Sequence, residues 1–98
     1  MKLYAIRHIP TGNYLPYRKS RKGFTADEPI ANCIPRLFKK KQHATVALNC
    51  WLEGKWGVIY GDNDYVIEVQ KQHNRKASSM EIVAMNLTEV KTYDTKTI

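Results

Sequence analysis

Arg18, Lys19, Arg21 and Lys22 crowd into five residues between Tyr14, Tyr17 and Phe24, and a second basic run follows at Lys39-Lys40-Lys41. Cations of this kind neutralise phosphates or meet carboxylates, and interleaved rings stack on unpaired bases, so the chemistry indicated is non-covalent recognition of an anion. The charge of the whole chain is segregated in the same sense. Residues 1–43 carry ten of the sixteen Lys and Arg against two of the nine acids, a formal +8, whereas the remainder holds six bases and seven acids, a formal −1. A basic first half joined to a neutral second half points to a surface that meets nucleic acid or an acidic protein face. The same residues also fit a solvated loop with Tyr14 and Tyr17 turned to the core, and an ordinary solvated helix entry at Lys39–Lys41.

Groupings that would support covalent or metal chemistry are weak by comparison. Cys50 and His43 lie on one expected helix but two turns apart, about 10 Å by the helix rise, too far for a nucleophile and its base. Asp27-Glu28 precedes Pro29 without an evident acid/base partner, and the five glycines are scattered rather than grouped into a phosphate-cradling loop. Asp62-Asn63-Asp64 lacks the downstream Glu of a calcium loop and reads as a turn. Cys33 and Cys50 are not a CxxC pair, and His8, His43 and His73 have no zinc-ligand spacing, so both cysteines are expected as small buried hydrophobes. The expectation is therefore a protein that is not an enzyme and has neither cofactor, metal nor small-molecule substrate. Trp51 belongs to a helix stripe and to the core; Trp56, beside Lys55, is either packed over the helix end or an exposed anchor for a partner.

The elements that must position these groups follow from periodicity. Ala44, Ala47, Leu48, Trp51 and Leu52 form one apolar stripe at helical spacing, which predicts a helix over 41–53 with Gly54 as its C-terminal cap. No Ser, Thr, Asp or Asn precedes Lys41, and positive charge at that end opposes the helix dipole, a mismatch that favours a nearby anion. Lys2–Ile9 reads as a first strand. A Pro10–Asn13 turn leads to a short return strand over 14–17, in which Pro16 argues for an edge. The stretch 18–32 reads as an exposed loop anchored by Phe24 and Ile30, and 34–38 as a short third strand. Residues 56–60 read as a short strand or an extended link, and strands are further expected over 65–70 and 80–90, the last placed centrally in the sheet, with a polar loop at 72–79 and a frayed tail over 92–98.

Ninety-eight residues with 43% apolar content fit one domain, with the order ββ(β)α(β)ββ: an α+β fold with one helix on a mostly antiparallel sheet. No apolar run is long enough to span a membrane, and Arg7 and His8 interrupt the start of the chain before a signal-peptide core could form. A cytosolic protein of unknown oligomeric state is the expectation.

The run KLYAIRHIPTGNYLP, the following basic stretch with GFT and DEP, then PRLFK, the helix ALNCWLEGKW and the later RKASSMEIVAMNL resemble small, largely uncharacterised accessory proteins of tailed bacteriophages. The likeness covers Lys2 to about Leu87. It implies expression in the cytoplasm of an infected host and action by binding, and it brings no catalytic residues. Two functions remain open. One is a modulator or inhibitor docking on a host protein complex that acts on nucleic acid. The other is direct DNA or RNA binding through the basic half, although neither a helix-turn-helix pair nor an RNP-type aromatic strand is present. The expected contact residues are Arg18, Lys19, Arg21, Lys22, Lys39, Lys40, Lys41, Tyr14, Tyr17 and Trp56.

Overall fold

The structure is a computed structural model that describes residues 1–17, 25, 27–60 and 65–92, with backbone alone described over 56–60 and 65–69. It is α+β: β1 (Lys2–His8), α1 (Lys41–Glu53), β2 (Lys55–Tyr60), β3 (Tyr65–Gln70), a 3-10 turn (Ala77–Ser79) and β4 (Met80–Asn86). The helix and β3 lie where periodicity put them, and 56–60 forms a strand rather than an extended link.

The single expected sheet is divided in two. β1 pairs antiparallel with β4 from Lys2↔Asn86 to His8↔Met80, and β2 pairs antiparallel with β3 from Lys55↔Gln70 to Tyr60↔Tyr65. The helix packs on the β1–β4 pair, while the β2–β3 ribbon makes its main contacts within itself. The five stripe residues of α1 meet Ile6, Leu15, Met80, Tyr4, Phe38 and Ile82 in one apolar core. No described helix is long and apolar enough to cross a membrane.

It is β1, not β4, that is central. β4 ends at Asn86 rather than at residue 90: Leu87 still donates its N–H to the Met1 carbonyl (2.7 Å), but Leu87 and Val90 are exposed. β1 instead uses both of its edges. One edge holds β4. On the other, Tyr4 exchanges two backbone bonds with Phe38 (2.9 and 2.8 Å), Ile6 accepts from Leu15 (3.0 Å) and His8 donates to Asn13 (2.7 Å).

The segment 14–17 lies beside β1, as the hairpin reading required, and 34–38 lies beside both, but the two contract from strands to isolated bridges. Proline sets that limit. Pro16 faces Pro35, flanked by bonds from Tyr17 to Ile34 (2.7 Å) and from Arg36 to Leu15 (2.9 Å), which is the geometry of a non-hydrogen-bonded antiparallel pair. Neither proline is asked for an N–H at that position, and neither can extend a ladder beyond it.

Gly54 closes the helix with φ +135°, a conformation costly for any residue with a side chain. A Cβ placed there would stand 2.2 Å from the Gln70 carbonyl oxygen, so the ribbon end also requires glycine. Gly54→Ala is expected to lower unfolding stability by about 1–3 kcal/mol, as measured by chemical denaturation. An unchanged midpoint would show that the crossing relaxes freely.

Candidate functional site

One buried cation organises the region where helix, loop and sheet end meet. Arg75 has a fully buried guanidinium. Its Nη1 donates to the carbonyls of Thr25 and Trp51, both at 2.8 Å, and its Nε and Nη2 donate to Glu28 Oε1 at 3.1 and 2.7 Å. The same group lies 4.3 Å above the Trp51 ring, and Trp51 Nε1 donates to the Asp27 carbonyl at 2.8 Å. A planar fork with five donors can make these four bonds to three acceptors in its plane while its face lies on the ring. It also places positive charge at the helix C-terminus, where the last turn of α1 supplies none of its own.

Of the expected 18–32 loop, the described part is exposed at Asp27 and at residues 30–32, while Thr25 is 1% exposed; Thr25, Asp27 and Glu28 are held through Arg75 and Trp51. Ile30, expected as an anchor, has its side chain exposed and is tied only by its backbone to Tyr14 (3.2 Å). The partner anchor, Phe24, lies outside the described residues.

Beside this anchor opens a cleft of about 210 Å³. It is lined by His8 at the end of β1, Thr11 and Asn13 of the following turn, Glu28 and Pro29, Trp51, and Asn74. His8 Nδ1 and Thr11 Oγ1 are 2.7 Å apart, and the Asn13 N–H reaches the same hydroxyl at 3.3 Å. His8, Glu28 and Trp51 drew notice in the sequence for other reasons, but nothing in sequence order brings the His8–Asn13 turn, Glu28, Trp51 and Asn74 together.

The expected contact residues divide into three groups. Lys39, Lys40 and Lys41 are exposed at the start of α1, and the Lys40 cap position makes no side-chain hydrogen bond. Tyr17 is 62% exposed, whereas Tyr14 is half-buried with the Arg7 guanidinium 5.9 Å from its ring centre. Arg7 also pairs with Glu81, directly opposite on β4, through Nε at 2.6 Å. That hydrogen bond first, and Tyr14 second, raise the Arg7 pKa above its ordinary value, so Tyr14 belongs to a structural row across three segments. Arg18, Lys19, Arg21 and Lys22, the Asp62–Asp64 turn and the Trp56 side chain lie outside what is described. Neither cysteine is fully buried: both are half-buried thiols, and Cys33 Sγ lies 3.6 Å from the Tyr14 carbonyl. Among the described residues no group of His, Cys, Asp and Glu is arranged to hold a metal ion.

A second surface feature was not expected. Tyr17, Ile34, Pro35, Arg36 and Leu37 line an open groove of about 430 Å³, with Ile34 74% and Leu37 44% exposed. Arg36 extends over the Phe38 ring at 4.9 Å. Comparison with protein families, curated proteins and solved structures finds no match to this chain.

The Arg75 anchor is tested by Arg75→Lys, which keeps the charge and loses the fork. It is expected to lower stability by roughly 2–3 kcal/mol, because buried carbonyls lose their donor. Glu28→Gln, at a half-exposed carboxylate that keeps an acceptor oxygen, is expected to cost about 1 kcal/mol or less. Equal losses from the two changes, read by thermal unfolding, would contradict a geometry-dependent anchor. At the other helix end, Lys40→Asp supplies the missing cap and reverses a charge that opposes the dipole. A gain of about 1 kcal/mol in unfolding free energy is expected, and a loss would refute the cap reading.

Proposed function

We propose that this chain is a non-enzymatic accessory protein of bacteriophage type, working in the host cytoplasm, that docks on a host protein complex acting on nucleic acid and modulates or inhibits it. The observation that carries the docking reading is the groove at Tyr17, Ile34 and Leu37. Exposed aliphatic side chains have no use against phosphates, but beside cations they suit a protein partner that is acidic and partly apolar. Both basic clusters continue from the chain segments that build this groove: Tyr17 immediately precedes Arg18, and Leu37 lies two residues before Lys39. The phage context rests on the resemblance described above.

The groove also sits on a sturdy base. Its two segments are bonded to each other and to β1, so its shape is set before a partner arrives. A preformed surface loses less freedom on association than a loop that must order itself. The charges then contribute mainly to encounter rate and to rejection of basic competitors.

The test is capture from bacterial lysate by the tagged chain, with and without nuclease, at about physiological salt. A host complex retained after nuclease is expected, and the Ile34→Glu/Leu37→Glu double variant should reduce its recovery by about tenfold or more, since apolar anchors carry most interface energy. Unfolding midpoints of wild type and variant should agree, because both side chains are exposed. Loss of every partner after nuclease would overturn the docking reading in favour of direct nucleic-acid binding through the same cations.

A further inference from the structure

The cleft lined by the His8–Asn13 turn, Glu28 and Asn74 has the attributes of a site for a small ligand. Glu28 takes both Arg75 bonds on Oε1, and Oε2 has no hydrogen-bond partner among the described residues. Among the described residues, the side-chain amides of Asn13 and Asn74 make no hydrogen bond and His8 is engaged through Nδ1 and not Nε2. Two carboxamides, one carboxylate oxygen and one imidazole nitrogen therefore line a single cleft with unused hydrogen-bonding capacity. Their supports are fixed: Glu28 by Arg75, Asn13 by its backbone bond to His8, and Asn74 by the turn in which Arg75 donates its N–H to the Gln72 carbonyl at 3.2 Å.

The surroundings narrow the ligand class. A volume of about 210 Å³ lies below that of pockets for drug-sized molecules and suits a single planar group. A cation is disfavoured, since Arg75 already neutralises Glu28 and the chain carries a net +7. An anionic group inside the cleft would face the free carboxylate oxygen. Trp51 is 4% exposed and its ring carries Arg75, so recognition in the cleft rests on hydrogen bonds rather than on stacking. A neutral heterocycle meets these conditions: in-plane donors and acceptors pair with carboxamides, and an amino group donates to a carboxylate.

We infer that this cleft binds the hydrogen-bonding edge of a nucleobase that carries an exocyclic amino group, presented by a nucleotide whose phosphate stays outside in the positive field of the chain. Glu28 Oε2 accepts from the amino group, and Asn13 and Asn74 read the adjacent ring positions. The site is separate from the Tyr17–Leu37 groove and does not depend on the docking reading.

The experiment is a titration of the full chain, followed through the side-chain amide signals of Asn13 and Asn74 in 1H–15N spectra. GMP, AMP, CMP and UMP are added in separate series, with ribose 5-phosphate and methyl glucoside as controls. Saturable shifts are expected with at least one amino-bearing nucleotide, weaker ones with UMP, and none with the controls. Asn13→Ala and Asn74→Ala, which leave every named backbone bond intact, should each raise the Kd about tenfold. Shifts of equal size with ribose 5-phosphate, displacement by methyl glucoside, or no saturation by any nucleotide in the millimolar range would overturn the assignment.

Discussion

The fully buried guanidinium of Arg75 is the constraint on which the rest of the structure depends. Taking such a group out of water is expensive, and only a full set of partners offsets the loss of hydration. Those partners come from places far apart in the chain: the carbonyls of Thr25 and Trp51, the carboxylate of Glu28 and the indole face of Trp51. The cation therefore does not so much add stability as select an arrangement. Any packing that moved the loop at 25–28, the end of α1 or the turn before β4 would strand a charge in the interior.

The two surface features derive from this arrangement in different ways. The cleft is a direct consequence, because its Glu28 and its Trp51 are held by Arg75 and its Asn74 is the adjacent residue. The groove is supported by β1, whose second edge holds the segments at 13–15 and 38, and through them the facing pair Pro16 and Pro35. One feature is thus an electrostatic product and the other a product of strand pairing. Their independence lets one chain offer a polar recess and an apolar face without either compromising the other.

How much of this was legible in the amino-acid order varies with the range of the interaction. The helix could be read to its last residue because its stripe and its cap glycine are local signals within 13 residues. Of the ribbon, 65–70 was legible by its alternation, whereas 56–60 read equally as a strand or an extended link, and its pairing with 65–70 was not read. The division into two sheets, and the central place of β1, depend on which edge each strand uses, and alternation along one strand carries no such information. Arg75 was hidden for a sharper reason. It sits in a polar stretch with Lys71 and Lys76, where burial of a cation contradicts every compositional expectation, and only the distant positions of its acceptors explain it. The cleft shares that opacity, since its walls come from four stretches of chain. The groove was partly foreshadowed by Tyr17, but exposure of Ile34 and Leu37 runs against the reading of 34–38 as an ordinary strand.

The pairing of β1 with β4 has a consequence for the order in which this molecule can assemble. Arg7 and Glu81, facing one another across that pair, are 74 residues apart in the chain. Closing so long a loop must precede any reward from the contacts it makes, which slows folding relative to a chain of local pairings. During synthesis the helix and the ribbon can form from neighbours, while Ile6 and the floor of the core wait for Met80 and Ile82 to arrive. Until then one edge of β1 stays open to pairing with another chain. Among the described strands, the last to be made is the one that seals the first.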